Sequence, residues 1–430
     1  MKIAAIILFV VMYVCMIAFP KRRPIFALST AAIYIIISLL PMADVSILKL
    51  SDLPNVIDWN VIMMITGTML IVDYFIESKM PNVIAEALLR AAPNVLWVTV
   101  LMSLFSGIIS AFIDNVATVL MVAPVAIVIC KKLKISPVGM VICIAVSSNL
   151  QGAATLVGDT TSIMLAGAAN MNFADFFVMH GKAGMFFATE LGALFTVPIM
   201  MIMFRKEKEP VTSDERTKVE DYFPTVMMLS YVLALIIASF IPNTPECING
   251  YICMTGAVIT VVVELLIHKN TEGLKHSFKN LDVDMILLLI GLFSVIGGIT
   301  NVGVIGDLAG LIASAGGSNK FLLYTIVVWG SVVISAFIDN IPYVATMLPI
   351  LGGVASTLGI EPYFLYFGLL VGATLGGNLT PIGASANIAG VGMLRKEGYE
   401  VSFGDFMKIG VPFTLTAVMS GYLFIWFVWA

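Results

Sequence analysis

Two aspartates occupy the same place in a heptapeptide that the chain contains twice. Residues 109–115 and 334–340 both read Ile-Ser-Ala-Phe-Ile-Asp-Asn, so Asp114 and Asp339 stand 225 positions apart (339 − 114). Each lies within a long apolar stretch, where a carboxylate costs about 2.5–3.5 kcal/mol and usually has a function. We therefore predict that both bind a cation or exchange a proton. Alternatively each Asp caps the following helix, and the two roles are compatible.

A second duplicated block contains glycines and polar side chains where a membrane helix normally carries Leu or Val. It covers residues 149–161 and, 225 positions later, residues 374–387. Glycine permits unusual backbone angles and Pro381 has no N–H group, so each block predicts a broken helix whose ends can hold an ion. Close helix packing is the alternative. It does not explain Asp159, Asn378 or Pro381.

These duplicated motifs supply the candidate substrate- and ion-binding residues. They are Asp114, Asn115, Asp339, Asn340, Gly152, Thr155, Gly158, Asp159, Thr160, Gly377, Asn378, Thr380, Gly383, Ser385 and Asn387. Glu190, within another apolar stretch, is either a proton relay or a buried hydrogen-bonded group.

The charge balance of the motifs indicates the kind of ligand. They contain three carboxylates, because Ala384 stands where the first half has Asp159, and no Lys or Arg. This balance favours Na⁺, H⁺ or a neutral hydroxylated solute over a naked multivalent anion. An anion held by half-helix N-termini together with Na⁺ stays possible. Beyond Na⁺ or H⁺ as coupling ion, we predict no metal or cofactor.

The composition is that of a polytopic membrane protein. Mean hydropathy is +1.02, 60% of the 430 residues are hydrophobic and 12% are charged, far from the averages of soluble domains. The basic residues form only short loop clusters, which excludes nucleic acid as a partner and leaves the lipid bilayer. The five cysteines show no C-x-x-C spacing, so neither a disulfide framework nor a thiolate metal site is expected.

The apolar stretches predict about ten spans, two re-entrant hairpins and two broken helices in an all-α fold. The spans cover residues 3–19, 25–40, 61–75, 185–204, 223–241, 251–267, 285–299 and 409–429. The hairpins cover 95–130 and 321–357, and the broken helices 138–170 and 363–394. Residues 171–182 and 395–408 are expected to form short interfacial helices.

Basic clusters predict the orientation. Residues 21–23, 131–134, 205–218, 268–279 and 395–396 all fall on the cytoplasmic side when the spans alternate. Both termini are then external, and the hairpins open on opposite sides of the plasma (cell inner) membrane. The chain therefore divides into two inverted repeats, 1–204 and 223–430, joined by a cytoplasmic linker, 205–222. Secondary transporters commonly have this architecture.

The duplicated heptapeptides, residues 152–159 (Gly-Ala-Ala-Thr-Leu-Val-Gly-Asp), residues 376–387 and the tail 401–406 resemble the ion transporter superfamily. Within it the chain is similar to arsenite/antimonite permeases, certain bacterial sodium/proton antiporters and the melanosomal P protein. The resemblance covers nearly the whole chain. It implies a scaffold part and a transport part in each half, a substrate site formed by hairpin and broken helix, and a homodimer.

Two departures bear on the substrate. Dicarboxylate symporters of the superfamily carry Ser-Asn-Thr at the hairpin tips, where this chain has Asp-Asn-Val (114–116) and Asp-Asn-Ile (339–341). This difference argues against a di- or tricarboxylate. The related sodium/proton antiporters continue Gly-Asp-Pro-Pro-Asn, where residues 158–162 read Gly-Asp-Thr-Thr-Ser, so the ion stays open.

Together these observations predict a secondary active transporter, not an enzyme. The expected activity is arsenite/antimonite efflux or Na⁺/H⁺ exchange, coupled to the ion gradient by the hairpin aspartates. A Na⁺-coupled di- or tricarboxylate symporter of the citrate type is the alternative, and a channel is disfavoured. An intramembrane aspartyl protease is a weaker alternative, because residues 156–159 (Leu-Val-Gly-Asp) lack the first glycine of a Gly-x-Gly-Asp motif.

Overall fold

The computed structural model describes residues 1–39, 46–211, 217–219, 221–269, 271–316 and 319–430, and these are mostly helical. In the first half the helices are α1 Lys2–Ala18, α2 Arg23–Ser38, α3 Leu53–Val56, α4 Trp59–Glu77, α5 Met80–Ala91, α6 Val95–Ser110, α7 Asn115–Leu133, α8 Val138–Gly152, α9 Thr160–Ala169 and α10 Met185–Met203. In the second half they are α11 Phe223–Ala238, α12 Ile248–Leu266, α13 Thr271–Asn280, α14 Val283–Asn301, α15 Val304–Gly316, α16 Lys320–Ser335, α17 Asn340–Leu358, α18 Tyr363–Leu370, α19 Ser385–Lys396 and α20 Phe403–Trp429. The expected all-α fold is confirmed.

The order of the helices repeats at the spacing found in the sequence. α16, α17, α18 and α19 each begin 225 positions after α6, α7, α8 and α9 respectively. α14 begins 224 positions after α4. The duplication therefore extends from the motifs to the helices that carry them.

Two pairs of closely packed helices join the two halves. α4 packs against α12, and α2 packs against α14. The crossings are close: a Cβ on Gly67 would lie 2.4 Å from the carbonyl carbon of Cys253, and a Cβ on Gly291 would lie 2.7 Å from the Cβ of Ala27. Glycine is thus needed at the equivalent point of both pairs, as expected for small residues at helix crossings.

Each hairpin lies against the broken helix of its own half. In the first half α6 and α7 both pack on α8, and Ser106 Oγ donates a 2.9 Å hydrogen bond to the carbonyl of Ile144. In the second half α16 and α17 pack on α18 and on the π-helical turn Val371–Leu375 that continues it. The breaks then continue as residues 153–159 and 376–384, which connect to α9 and α19.

Within the described residues, seven helices are long and apolar enough to cross a membrane, or eight if the bent pair α15 and α16 counts as one span. They are α4, α7, α10, α12, α14, α17 and α20. Several other expected spans, such as α1 and α11, are apolar helices of 16–17 residues, slightly shorter than a straight crossing. The end of the span 25–40 lies outside the described residues. The orientation in the bilayer stays a prediction.

The two expected interfacial helices are wrong. Residues 171–182 form a 3₁₀ turn, Ala174–Phe176, and a short antiparallel pair of β1, Val178–Met179, with β2, Lys182–Ala183. His180 and Gly181, with φ of 53° and 74°, form the tight turn between the strands. Residues 395–408 belong instead to the end of α19 and the beginning of α20, which Ser402 caps by accepting a 3.1 Å hydrogen bond from the Asp405 N–H.

Candidate ion-binding site

The two duplicated aspartates are helix caps at the hairpin tips. Asp114 Oδ2 accepts hydrogen bonds from the N–H groups of Val116 (2.9 Å) and Ala117 (3.3 Å), at the start of α7. Asp339 Oδ1 accepts a 3.1 Å bond from the N–H of Ile341, at the start of α17. The capping role weighed for the sequence is thus present. It fixes where each carboxylate points and leaves part of it free for other partners.

The first broken helix contacts the hairpin tip that carries Asp114. Thr155 Oγ1 donates a hydrogen bond to the carbonyl of Ala111 in the tip. A Cβ on Gly158 would lie 2.5 Å from the carbonyl oxygen of Gly152 and 2.6 Å from that of Ser110. Gly158 therefore lets the broken segment touch both the end of α8 and the hairpin backbone, which brings the next residue, Asp159, to the tip.

The second half repeats this contact. Thr380 Oγ1 donates to the carbonyl of Ala336, and a Cβ on Gly383 would lie 2.6 Å from the Gly377 oxygen and 2.8 Å from the Ala336 oxygen. The predicted glycines and threonines thus join hairpin and broken helix in each half. They position the site through their backbones and hydroxyls.

Asp159 joins Asp114 to form a pair of carboxylates. Its side chain is 3% exposed, and its Oδ2 accepts a 2.9 Å hydrogen bond from Thr161 Oγ1. Asp159 also lies close enough to Asp114 and Asp339 for their charges to interact. The three carboxylates of the duplicated motifs thus lie in one region of the structure, and their role in ion binding stays a prediction.

Asp339 differs from Asp114 because it has a fixed cation. Arg23 Nη1 lies 2.8 Å from Asp339 Oδ2, and Ser385 Oγ donates a 3.0 Å hydrogen bond to the same oxygen. Asp339 is 4% exposed and Arg23 is 21% exposed. In the second half the equivalent positions of α12, 225 and 226 residues after Arg23, carry Ile248 and Asn249. The duplication therefore supplies no equivalent cation for Asp114.

A cavity of about 630 Å³ contains the first carboxylate pair. Of the predicted residues, Asp114, Asp159, Thr160 and Ser385 line it. The lining follows α4 from Ile65 to Glu77, a distance of about 18 Å at 1.5 Å per residue. The other carboxylates of the lining are Asp73, Glu77 and Asp282. All lining residues belong to the described part of the chain, and none of them is Lys or Arg, so the cavity is strongly acidic.

A chain of buried amides joins the halves beside this cavity. Asn115 Nδ2 donates a 2.9 Å bond to Asn149 Oδ1, and Asn149 Nδ2 donates to Asn378 Oδ1 at 2.8 Å and to Asn387 Oδ1 at 3.1 Å. Asn387 in turn donates 3.1 Å bonds to the carbonyls of Gly377 and Thr380. The first hairpin, both broken helices and α19 thus share one hydrogen-bond network.

Two predicted residues stand apart from these contacts. Asn340 Nδ2 is buried and has no hydrogen-bond partner among the described residues, since the equivalent of Asn149 is Thr374, which bonds Thr161 instead. Glu190 lies in α10 and is not part of the cavity lining. Its role as a proton relay stays a prediction without a contact to the site.

Sequence reasoning missed three contributions. Arg23 counted only as a loop charge that sets orientation, although it binds Asp339. Asn149 was recognised as part of a duplicated block but not as the centre of the amide network. Asp73 and Asp282 are absent from the predicted site, and the pairing of α4 with α13 and α14 brings them to the cavity.

Comparisons with known proteins agree with this architecture. An uncharacterised transporter of Mycobacterium tuberculosis is 29% identical, over 99% of this chain and 98% of that protein. The P protein of Homo sapiens is 23% identical over 85% of this chain and 53% of its own length. The relation to the P protein agrees with the resemblance found in the sequence, while the arsenite permease branch stays a prediction.

Solved transporter structures have the same fold. The MtrF antimetabolite efflux pump of Neisseria gonorrhoeae aligns with a TM-score of 0.61, 14% identity, and 96% and 95% of the two chains covered. The YdaH transporter of Alcanivorax borkumensis gives 0.60, 14% identity, and 94% and 95%. At this identity the likeness concerns the fold.

A family model described as citrate transporter matches residues 11–372, which is most of the chain and includes both hairpin tips. The relatives are transporters and not enzymes, as the sequence predicted. The protein is a multi-pass membrane transporter for a small ion or anion, and it belongs to the citrate transporter family.

Proposed function

We propose that the protein is a cation-coupled secondary transporter whose coupling ion, H⁺ or Na⁺, binds at Asp114 and Asp159. The observation that carries this proposal is the acidic cavity: its described lining has five carboxylates, two of them at the first hairpin tip, no Lys or Arg, and one histidine, His276, which lies 3.7 Å from Asp73. Two like charges in an enclosed, largely apolar space are unfavourable unless a proton or metal cation joins them.

The donor set suits both ions. Carboxylate and hydroxyl oxygens are the ligands that hard cations prefer, and Thr160 and Ser385 add two hydroxyls to the lining. The capping bonds of Asp114 hold its carboxylate in place before an ion arrives. Because proton and Na⁺ compete for the same oxygens, exchange of one for the other follows from a single site.

The negative charge of the cavity lining restricts which substrates the cavity can bind. Its five carboxylates favour a cation or a neutral solute. In Na⁺/H⁺ exchange the transported species are cations. In arsenite or antimonite efflux the transported species is neutral if the oxyacid is bound in its undissociated form. The hairpin and the broken helix would then move as one unit against the scaffold, as in other inverted-repeat transporters.

Citrate is the second candidate, because the family model that matches the chain is described as citrate transporter. A multivalent anion could enter this cavity only with cations that neutralise it. The two candidates therefore differ in what must be bound together with H⁺ or Na⁺.

The test is a flux measurement in proteoliposomes that contain a pH-sensitive dye. Na⁺, Li⁺, arsenite, citrate and succinate are added in turn. Proton movement driven by Na⁺ or Li⁺ alone indicates cation exchange, proton movement only with arsenite indicates oxyacid efflux, and uptake of labelled citrate indicates a carboxylate symporter.

The same assay tests the proposed residues. Asp114→Asn and Asp159→Asn should each abolish coupled flux while the protein still inserts. Asp405→Asn is the matched control, since Asp405 pairs with Lys408 on the exposed start of α20, where such pairs contribute about 0–1 kcal/mol. Normal coupled flux in both site variants would refute the assignment.

A further inference from the structure

A second polar cluster lies at the ends of α11 and α12, apart from the carboxylate pair of the hairpin tip. His268 Nδ1 lies 2.9 Å from Asp221 Oδ2 and 3.3 Å from Glu264 Oε1. One ligand atom from each of the three side chains lies within 4.8 Å of the others. Asp221 belongs to the end of the linker between the halves, so the cluster connects this linker to α12.

These distances suit three ligands of one metal ion. Metal–ligand bonds of about 2.0–2.2 Å place neighbouring ligand atoms about 2.9–3.5 Å apart in octahedral or tetrahedral geometry. The two measured distances to His268 Nδ1 lie within this interval. The carboxylate oxygens of Asp221 and Glu264 lie within 4.8 Å of each other, and a small shift of both side chains towards the ion would bring this distance into the same interval.

The ligands are held in position by contacts outside the cluster. Asp221 Oδ1 accepts a 2.9 Å hydrogen bond from the N–H of Phe223, which leaves Oδ2 directed at His268. The Phe223 ring meets the imidazole edge-on at 5.9 Å between centroids. Glu264 and His268 are four residues apart on one helix face. Such support is what metal-binding side chains usually have.

A second observation points to a ligand here. The cluster lines a polar cavity of about 590 Å³, together with Tyr74, Glu77 and Ser78 at the end of α4. The Tyr74 side chain is 1% exposed, and its hydroxyl has no hydrogen-bond partner among the described residues. A buried hydroxyl without a partner costs free energy, which a polar ligand in this cavity would recover. Tyr74 therefore offers the cavity a hydroxyl that can bind such a ligand.

The charges of the side chains in this cluster also favour a bound metal ion. Glu264 is 5% exposed and Asp221 34% exposed, so two carboxylates share a partly enclosed site with one imidazole. Buried carboxylates need a cation nearby. The lining also contains a third carboxylate, Glu77, and one ammonium group, Lys269. A divalent ion bound to neutral His268 brings the sum of these charges to zero.

We propose that Asp221, Glu264 and His268 form a binding site for a divalent transition-metal ion. The imidazole ligand favours Zn²⁺ over Mg²⁺ and Ca²⁺, which prefer all-oxygen sites. Glu77 lines both this cavity and the acidic cavity of the hairpin tip. An ion at this site therefore fixes the linker next to the mouth of the transport cavity, independently of which substrate is carried.

The experiment is Zn²⁺ titration of the full-length protein in detergent, free of any polyhistidine tag, by isothermal calorimetry. We expect one saturable site, weakened at least about 10-fold by Asp221→Asn and by His268→Gln. His180→Gln is the matched control, because His180 also lies near a carboxylate, that of Asp175. This variant should bind Zn²⁺ with the affinity of the unmodified protein.

Zn²⁺ X-ray absorption gives a second measurement on the unmodified protein. One imidazole nitrogen with oxygen neighbours is expected, and a spectrum without imidazole would overturn the proposal. Absence of a saturable site in the titration, or equal affinity in all three variants, would overturn it as well. Gel filtration of Asp221→Asn should give the elution volume of the unmodified protein, because the amide has the same size as the partly exposed carboxylate that it replaces. A weaker affinity then comes from the lost ligand and not from unfolding.

Discussion

Arg23 should stabilise the second hairpin tip, and its removal should leave Asp339 without a partner charge. Arg23→Gln keeps the length and polarity of the side chain but removes the cation that lies 2.8 Å from Asp339. Breaking a fully buried ion pair costs about 3–5 kcal/mol, and breaking an exposed pair costs about 0–1 kcal/mol. Since Asp339 is 4% and Arg23 21% exposed, we expect a loss of about 2 kcal/mol in the free energy of unfolding.

A double-mutant cycle measures this interaction in mixed micelles with SDS as denaturant. Arg23→Gln and Asp339→Asn are compared with the double variant, in which neither charge is left. The double variant should regain most of the loss, and the coupling free energy should be about 2 kcal/mol. Arg22→Gln is the control, since Arg22 is exposed and next in sequence. Its effect should stay within about 0.5 kcal/mol.

The same variant has a consequence for transport. Arg23 balances the charge of Asp339, and under the proposed function the coupling ion then binds at the first tip. Arg23→Gln frees a second carboxylate, so the transport rate should depend more steeply on Na⁺ or H⁺ concentration. A coupling free energy below about 0.5 kcal/mol, together with an unchanged ion dependence, would refute the reasoning.

Three further substitutions test the packing and the hydrogen bonds around the site. Asn149→Leu removes the centre of the amide network and should lower the free energy of unfolding by about 2–4 kcal/mol, because the amides bonded to Asn149 lose their partner inside the protein. An unchanged free energy of unfolding would show that the network does not stabilise the protein. Gly158→Ala should abolish transport in the dye assay, since its Cβ would lie 2.5 Å from a carbonyl oxygen, whereas Gly392→Ala, in open space, should not. Gly67→Ala should destabilise the crossing of α4 with α12, while Gly330→Ala, with no atom near its Cβ, should be neutral or stabilising in the same SDS titration.

The duplicated motifs allowed the positions of the helices around the candidate site to be predicted. A constant spacing of 225 residues marked both hairpins and both broken helices, and the helices that the structure shows begin at that spacing. The grouping of Asp114, Asp159, Thr160 and Ser385 followed from the same motifs. Such prediction works because repeated sequence in repeated surroundings makes the same local contacts, as the paired bonds of Thr155 and Thr380 show.

Contacts that arise between the repeats escaped prediction. Arg23 follows a first apolar stretch within a basic triplet, and nothing in the sequence distinguishes it from Arg22 as a partner for a residue 316 positions away. The short amphipathic helices α5 and α13 were missed because their charged residues read as loops. Their apolar faces pack against neighbouring helices. Each helix is too short to give a periodic pattern that could be recognised in the sequence.

The differences between the repeats say more about the mechanism than their likeness. Both tips have an Asp that caps a helix, but the first has Asp159 beside it and no arginine, whereas the second has Ala384 in place of that carboxylate and Arg23 on its Asp. Two substitutions thus change the charge of the tips in opposite directions, towards acidic in the first half and neutral in the second. These differences therefore support the proposal that the coupling ion binds at Asp114 and Asp159, since the charge of Asp339 at the second tip is already balanced by Arg23.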